Sequence, residues 1–216
     1  ANHNAPEQVV LSGAVAAVEQ VEAGLAAAGI KARRLPVSTA FHSPIVAEAV
    51  APFASFLDGI PFSSPRLPVF ANAEAAAYPA DPEAMRALLS GSVARAVRFV
   101  EEVEAMVASG VRTFVEVGPG AVLTGLVRQI LGDRPHLAVS LARRGKGGLE
   151  AFLGGLATLW AAGHPRRLEA LWEGYRSPLD PSTRVRPRHA IAISGTNWGK
   201  PYPPAGGAAA LPPPNP

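Results

Sequence analysis

Val15, Val18, Val21 and Leu25 recur at close to helical spacing through AVAAVEQVEAGLAAAGI (14–30). This predicts an amphipathic helix that Gly29 can end. On either side lie short apolar runs, EQVVLSG (7–13) and KARRLPVS (31–38), so the opening of the chain predicts a β-α-β unit. PIVAEAVAPFASFLDGI (44–60) predicts a second helix, with Pro44 suited to its first turn and Pro52 placed to kink it. RLPVFANA (66–73) predicts a buried strand, and DPEAMRALLSGS (81–92) a helix that opens on Asp-Pro with an acidic first turn. AVRFVEEVEAMVASG (96–110) has the pattern of an amphipathic helix ended by Gly110. RTFVEVGPG (112–120) predicts a strand running into a glycine turn, AVLTGLVRQILG (121–132) a helix, HLAVSLA (136–142) a strand and GLEAFLGGLATLWAAGH (148–164) a last helix. Strands alternating with helices predict an α/β architecture with a largely parallel sheet.

After His164 the pattern stops. Eleven of the 22 prolines lie from Pro165 onward, and the chain ends in PAGGAAALPPPNP. Such composition buries little and predicts an extended, flexible tail. Within it, RHAIAISGTNWGKPYPP (188–204) carries Ile191, Ile193, Trp198 and Tyr202, which predicts a segment strapped back onto a domain surface. No repeat of 20–50 residues is visible.

Composition narrows the classes. With 216 residues and 48% hydrophobic positions, one domain plus a tail can bury a sizeable core. Cysteine is absent, which excludes disulfides, zinc-thiolate sites and a cysteine nucleophile and agrees with a cytoplasmic setting. No run reaches the roughly 18 apolar residues of a membrane span, and the polar start ANHNAPEQ has no signal pattern and no Met, so it reads as the middle of a longer polypeptide. The net charge of +3 is uneven: residues 143–216 hold ten Lys or Arg against four Asp or Glu. Without an accompanying nucleic-acid motif, this reads as a solvated linker.

The residue with the clearest chemical potential is His42 in LPVSTAFHSP (35–44), between an aromatic ring and a hydroxyl. An imidazole with a pKa near about 6.5 can accept and return a proton at neutral pH. A lone histidine at a strand end is more often structural. His3, His136, His164 and His189 have no comparable context, and no pair has H-E-x-x-H spacing, so no metal site is expected. The GPG of residues 118–120 precedes a helix whose N–H groups can face an anion, but it lacks the Lys-Ser/Thr of a P-loop, and a tight structural turn is the better reading.

Three blocks, in order, carry a resemblance. ANHNAPEQVVLSG (1–13), LPVSTAFHSP (35–44) and FVEVGPGAVLTGLVRQIL (114–131) resemble consecutive motifs of the malonyl-CoA:acyl-carrier-protein acyltransferase family. The likeness is to the C-terminal portion of acyltransferase domains in polyketide and polyunsaturated fatty-acid synthases. It implies a hydrolase-like parallel-sheet fold with part of a ferredoxin-like small subdomain. Residues 1–37 would belong to the small subdomain, 38–162 to the large one, and 163–216 to a post-acyltransferase linker and tail. It implies two-step transfer of malonyl from coenzyme A to the phosphopantetheine thiol of an acyl carrier protein, through an acyl-serine and with no bound cofactor. Neighbouring synthase domains are the other implied partners, with neither nucleic acid nor membrane among them.

The resemblance also distributes roles. His42 matches the general base and acid. A main-chain carbonyl near Ser92 orients it. Asn4 matches a residue near the cleft, although its sequence context equally suits an Asx turn. Ser43 lines the pocket. Phe41 either packs into the core or narrows the space beside the acyl α-carbon, the pattern of malonyl-selective members. The nucleophilic serine belongs in G-H-S-x-G, and no serine here stands in G-x-S-x-G. The chain is therefore expected to be a fragment that does not turn over alone. A non-catalytic docking module and an acyl-thioester hydrolase are the competing readings.

Overall fold

Residues 2–5 pair before the expected first strand begins. In a computed structural model, β1 (Asn2–Ala5) and β2 (Gln8–Val10) form an antiparallel hairpin around Pro6-Glu7. The structure describes residues 1–174 except Arg144, Lys146 and Arg166, together with Thr183, His189 and residues 205–207. All of the expected strap at 188–204 except His189, and most of the tail, thus lie outside the described residues. The chain divides into two units, Ala1–Arg166 and Arg167–Pro216. In the second, Leu168–Trp172 forms a 3-10 turn.

Helix α1 (Val15–Ala27) follows the hairpin as expected, but 31–38 forms no strand. Leu35 and Val37 are exposed, and an isolated extended segment lacks the ladder hydrogen bonds that define a strand. The β-α-β unit is therefore not closed. The helix expected over 44–60 is divided into a 3-10 turn at Pro44–Ala49 and helix α2 (Val50–Asp58). The break precedes Pro52, which falls in the first turn of α2, where its missing N–H is not needed. The expected strand 66–73 contracts to β3 (Phe70–Ala71), paired antiparallel with β4 (Ala76–Ala77). Leu67 and Val69 before it are exposed.

Helix α3 (Pro82–Gly91) begins as its sequence predicts: the Asp81 carboxylate accepts the Ala84 N–H at 2.7 Å, with Pro82 in the first turn. It lies against α2, where the Arg86 guanidinium donates to the Leu57 carbonyl at 3.1 Å. Helix α4 (Phe99–Ala108) leads into β5 (Thr113–Glu116), α5 (Val122–Leu131), β6 (Leu137–Ser140) and α6 (Gly148–Ala161). Strands β5 and β6 are parallel, in register from Thr113 opposite Leu137 to Glu116 opposite Ser140. They are the one parallel pair of strands among the described residues, so the largely parallel sheet expected from the alternation is reduced to a mixed α/β arrangement. Val103, Val127, Ile130, Leu131 and Ala138 form the core of α4, α5 and β6, with Phe99 and Phe114 packed against it. Helix α6 approaches β6 closely at Gly155, where an added methyl group would meet Leu141 Cδ2 at 2.6 Å and the Ser140 carbonyl at 3.2 Å. No helix of the described residues is long and apolar enough to cross a membrane.

The E-V-G-P-G segment explains itself locally. The Glu116 carboxylate at the end of β5 accepts the Thr124 N–H and Oγ1–H, both at 2.7 Å, and the Leu123 N–H at 3.3 Å. A carboxylate of the chain thus occupies the N-terminus of α5, the place where an external anion was conceivable. The Ser140 hydroxyl donates to the Gly120 carbonyl, and Gly120, at φ 144°, bridges to Ala142. The glycine turn is a structural clasp between β5, α5 and the end of β6.

Burial pushes the Glu116 carboxyl up, but the hydrogen bonds from Thr124, Leu123 and Val122 outweigh it, and the net shift is downward. A depressed folded value contributes stability above the unfolded glutamate pKa of about 4.3, and that contribution is lost as pH falls through the folded value. Glu116→Gln should therefore lower stability by about 1 kcal/mol at neutral pH, the usual scale of a helix cap. In urea unfolding, the gap from wild type should close in acid; a gap of equal size at both pH values would contradict this role.

Candidate functional site

His42 is the turning point of a tight bend between the exposed stretch 31–39 and the 3-10 turn that begins at Pro44. Its φ is 56°, in the left-handed region that a residue with a β-carbon seldom adopts. Ser43, buried directly after it, holds the exit. Its hydroxyl donates to the Ala40 carbonyl at 2.6 Å and accepts the Ile45 N–H at 3.3 Å. The hydroxyl is thus committed to capping the turn.

The imidazole meets the loop that follows α3. The Nδ1 atom lies 3.2 Å from the Ser92 carbonyl and 3.0 Å from the Arg95 carbonyl, while the His42 N–H donates to the Val93 carbonyl at 3.1 Å. Carbonyls only accept, so Nδ1 is the donor, and in the neutral imidazole Nε2 keeps the lone pair. The ring is half-buried. In this arrangement the nitrogen that can accept a proton is the one not engaged by the backbone.

Three neighbours fix the loop 92–98. Ser92 ends α3, and its hydroxyl turns back to the Leu89 carbonyl at 2.7 Å, leaving its own carbonyl to the histidine. From the β3–β4 hairpin, Glu74 pairs with the Arg95 guanidinium, and the Asn72 carbonyl accepts the Arg98 N–H at 3.2 Å. From β1, the His3 N–H donates to the Val97 carbonyl and the Val97 N–H to the Ala1 carbonyl, both at 2.8 Å. Just beyond, α4 opens with two carboxyls in unlike settings. Burial raises Glu102. Burial also pushes Glu101 up, but its backbone hydrogen bond and the nearby His3 and Arg98 bring it down on balance.

Phe41 is 58% exposed, so the core-packing reading of its ring does not hold. Its carbonyl accepts the Ser12 hydroxyl at 2.8 Å. Asn4 lies inside β1 and not in an Asx turn. The register passes from His3 opposite Val9 to Ala5 opposite Gln8, so Asn4 sits at a bulge, a device that redirects side chains. Three other imidazoles have local partners: His3 with Glu101, His136 with the Arg134 carbonyl and His164 with Thr113 Oγ1. No group of three or more metal-ligating side chains occurs among the described residues.

The structure thus brings His42, Phe41, Ser43 and the Ser92 carbonyl together and adds Arg95, Val93 and Ser12. The carbonyls of Arg95 and Val93 left no trace in the sequence, because a main-chain acceptor does not depend on residue type. Ser12 did have a signal, as the serine of VVLSG, but nothing in the sequence connects it to residue 41.

Comparison with known proteins gives consistent results. The model of the acyl transferase domain family matches residues 1–165. The chain is 38% identical over 193 residues to the polyketide synthase GfsA of Streptomyces halstedii, covering 88% of the chain and 2% of that protein. It is 38% identical over 141 residues to the malonyl CoA-acyl carrier protein transacylase of Haemophilus influenzae, covering 64% of the chain and 45% of that protein. Among solved structures, the acyltransferase domain from the second module of the salinomycin polyketide synthase superposes with a TM-score of 0.73 at 36% identity. That match covers 82% of the chain and 43% of the solved domain.

Proposed function

The chain belongs to the acyl transferase domain family, and from that membership we propose that it forms the C-terminal, base-carrying part of a domain that moves malonyl units from coenzyme A to an acyl carrier protein. The observation that carries the proposal is the pair of main-chain carbonyls, from Ser92 and Arg95, on His42 Nδ1. Residues 1–37 belong on this reading to a ferredoxin-like small subdomain and 38–162 to the large hydrolase-like one. Residues 163–216 are the linker toward neighbouring synthase domains.

The chemistry follows from the free lone pair. A serine hydroxyl from outside these 216 residues gives its proton to His42 Nε2 as its oxygen attacks the thioester carbonyl. The imidazolium returns that proton to the departing coenzyme A sulfur, leaving malonyl on the serine. The phosphopantetheine thiol of the carrier protein then gives its proton to Nε2 and attacks the ester, and the serine oxygen leaves with the proton from Nε2. The Ser92 and Arg95 carbonyls stabilise each imidazolium and keep Nδ1 protonated whenever the ring is neutral. Phe41, exposed beside the base, limits the space next to the acyl α-carbon, so an added methyl displaces the ring or is itself displaced.

In the completed domain, His42→Ala should slow carrier-protein loading by about two to four decades, the reach of general acid–base catalysis. Loading at the wild-type rate would remove His42 from the mechanism. In a competition between malonyl-CoA and methylmalonyl-CoA, scored by the mass of the loaded carrier protein, the wild type should choose malonyl by roughly 10- to 200-fold, the value of one methylene-sized difference. Phe41→Ser should erode that ratio, and an unmoved ratio would separate Phe41 from selectivity.

A further inference from the structure

We propose that Ser12 is a positioning residue for His42, locking the peptide unit between Phe41 and His42 so that Nδ1 reaches its two carbonyls. The inference rests on His42 being the base, as argued above. A non-glycine residue at φ 56° is strained and persists where its surroundings over-determine it. Here both polar ends of one peptide unit are held. The His42 N–H donates to the Val93 carbonyl at 3.1 Å, and the Phe41 carbonyl at the other end accepts the Ser12 hydroxyl at 2.8 Å. With its two ends tied to different parts of the chain, the plane cannot rotate about the backbone without breaking a hydrogen bond. The rotation that His42 would need to relax out of the left-handed region is this one.

The same hairpin acts on the other half of the site. Ser12 lies two residues past β2, and His3 of β1 and Ala1 just before it exchange hydrogen bonds with Val97, two residues past Arg95. The β1–β2 hairpin therefore brackets the site, holding the histidine turn through Ser12 and the carbonyl loop through Val97. This gives the VVLSG serine a function that neither local turn chemistry nor burial supplies.

The test uses the isotope-labelled 216-residue chain and long-range proton–nitrogen NMR spectra of its imidazoles, at a pH of about 8, above the ordinary imidazole range. Wild type should show His42 protonated on Nδ1. Ser12→Ala should raise the Nε2–H population of His42 by roughly two- to tenfold, the reach of one ordinary hydrogen bond. Ser12→Thr, which keeps the hydroxyl, should stay close to wild type. His164, bonded to Thr113 on β5, reports on the fold and should not change. An unchanged His42 tautomer in Ser12→Ala, a Ser12→Thr chain that behaves like Ser12→Ala, or a His164 signal that moves together with His42 would overturn the proposal. No acyl transfer enters the measurement, so its outcome is separate from that of the functional reading.

Discussion

The hydrogen bonds from His42 Nδ1 to the Ser92 and Arg95 carbonyls are the contact that the rest of the site serves. Main-chain acceptors differ from a carboxylate in two ways. They add no net charge beside the imidazole, and their positions are set by the backbone, not by a flexible side chain. The cost is that two loops must be placed correctly. Helix α3, capped at Asp81 and packed on α2, sets one end of the carbonyl loop. Hairpins β3–β4 and β1–β2 hold the other end through Asn72, Glu74, Ala1 and His3.

The histidine turn depends on the same construction. A left-handed φ at a non-glycine residue costs on the order of 1–3 kcal/mol, and one hydrogen bond offsets only about 1 kcal/mol. The four contacts around residues 40–45, from Ser12, Val93, Ala40 and Ile45, together match that cost. Strain at this position is thereby held by the site's own framework, which makes the direction of the ring a property of the surrounding fold.

The sequence revealed helices more fully than strands. Helix α3 was legible because Asp81 and Pro82 give a local start signal, and α5 because its apolar positions keep a helical period before Gly132. Strands failed where pairing was not local. The 31–38 run has strand-like composition, yet nothing among the described residues pairs with it, whereas the polar NHNA segment becomes β1 because residues 8–10 fold back on it. At the site, His42 and the neighbourhood of Ser92 were legible through motif resemblance. Arg95, Val93 and the Ser12–Phe41 contact were not, since they depend on carbonyl positions or on partners 29 residues apart. The E-V-G-P-G motif was legible as a turn, but only the structure shows Glu116 occupying the helix N-terminus.

On the proposed function, the backbone holds Nδ1 and leaves Nε2 for the nucleophile. A crystal structure of the completed acyltransferase domain tests this most directly. The serine Oγ is expected within about 2.6–3.2 Å of His42 Nε2, with the Ser92 and Arg95 carbonyls still on Nδ1. A serine engaging Nδ1, or a side-chain carboxylate replacing those carbonyls, would contradict it.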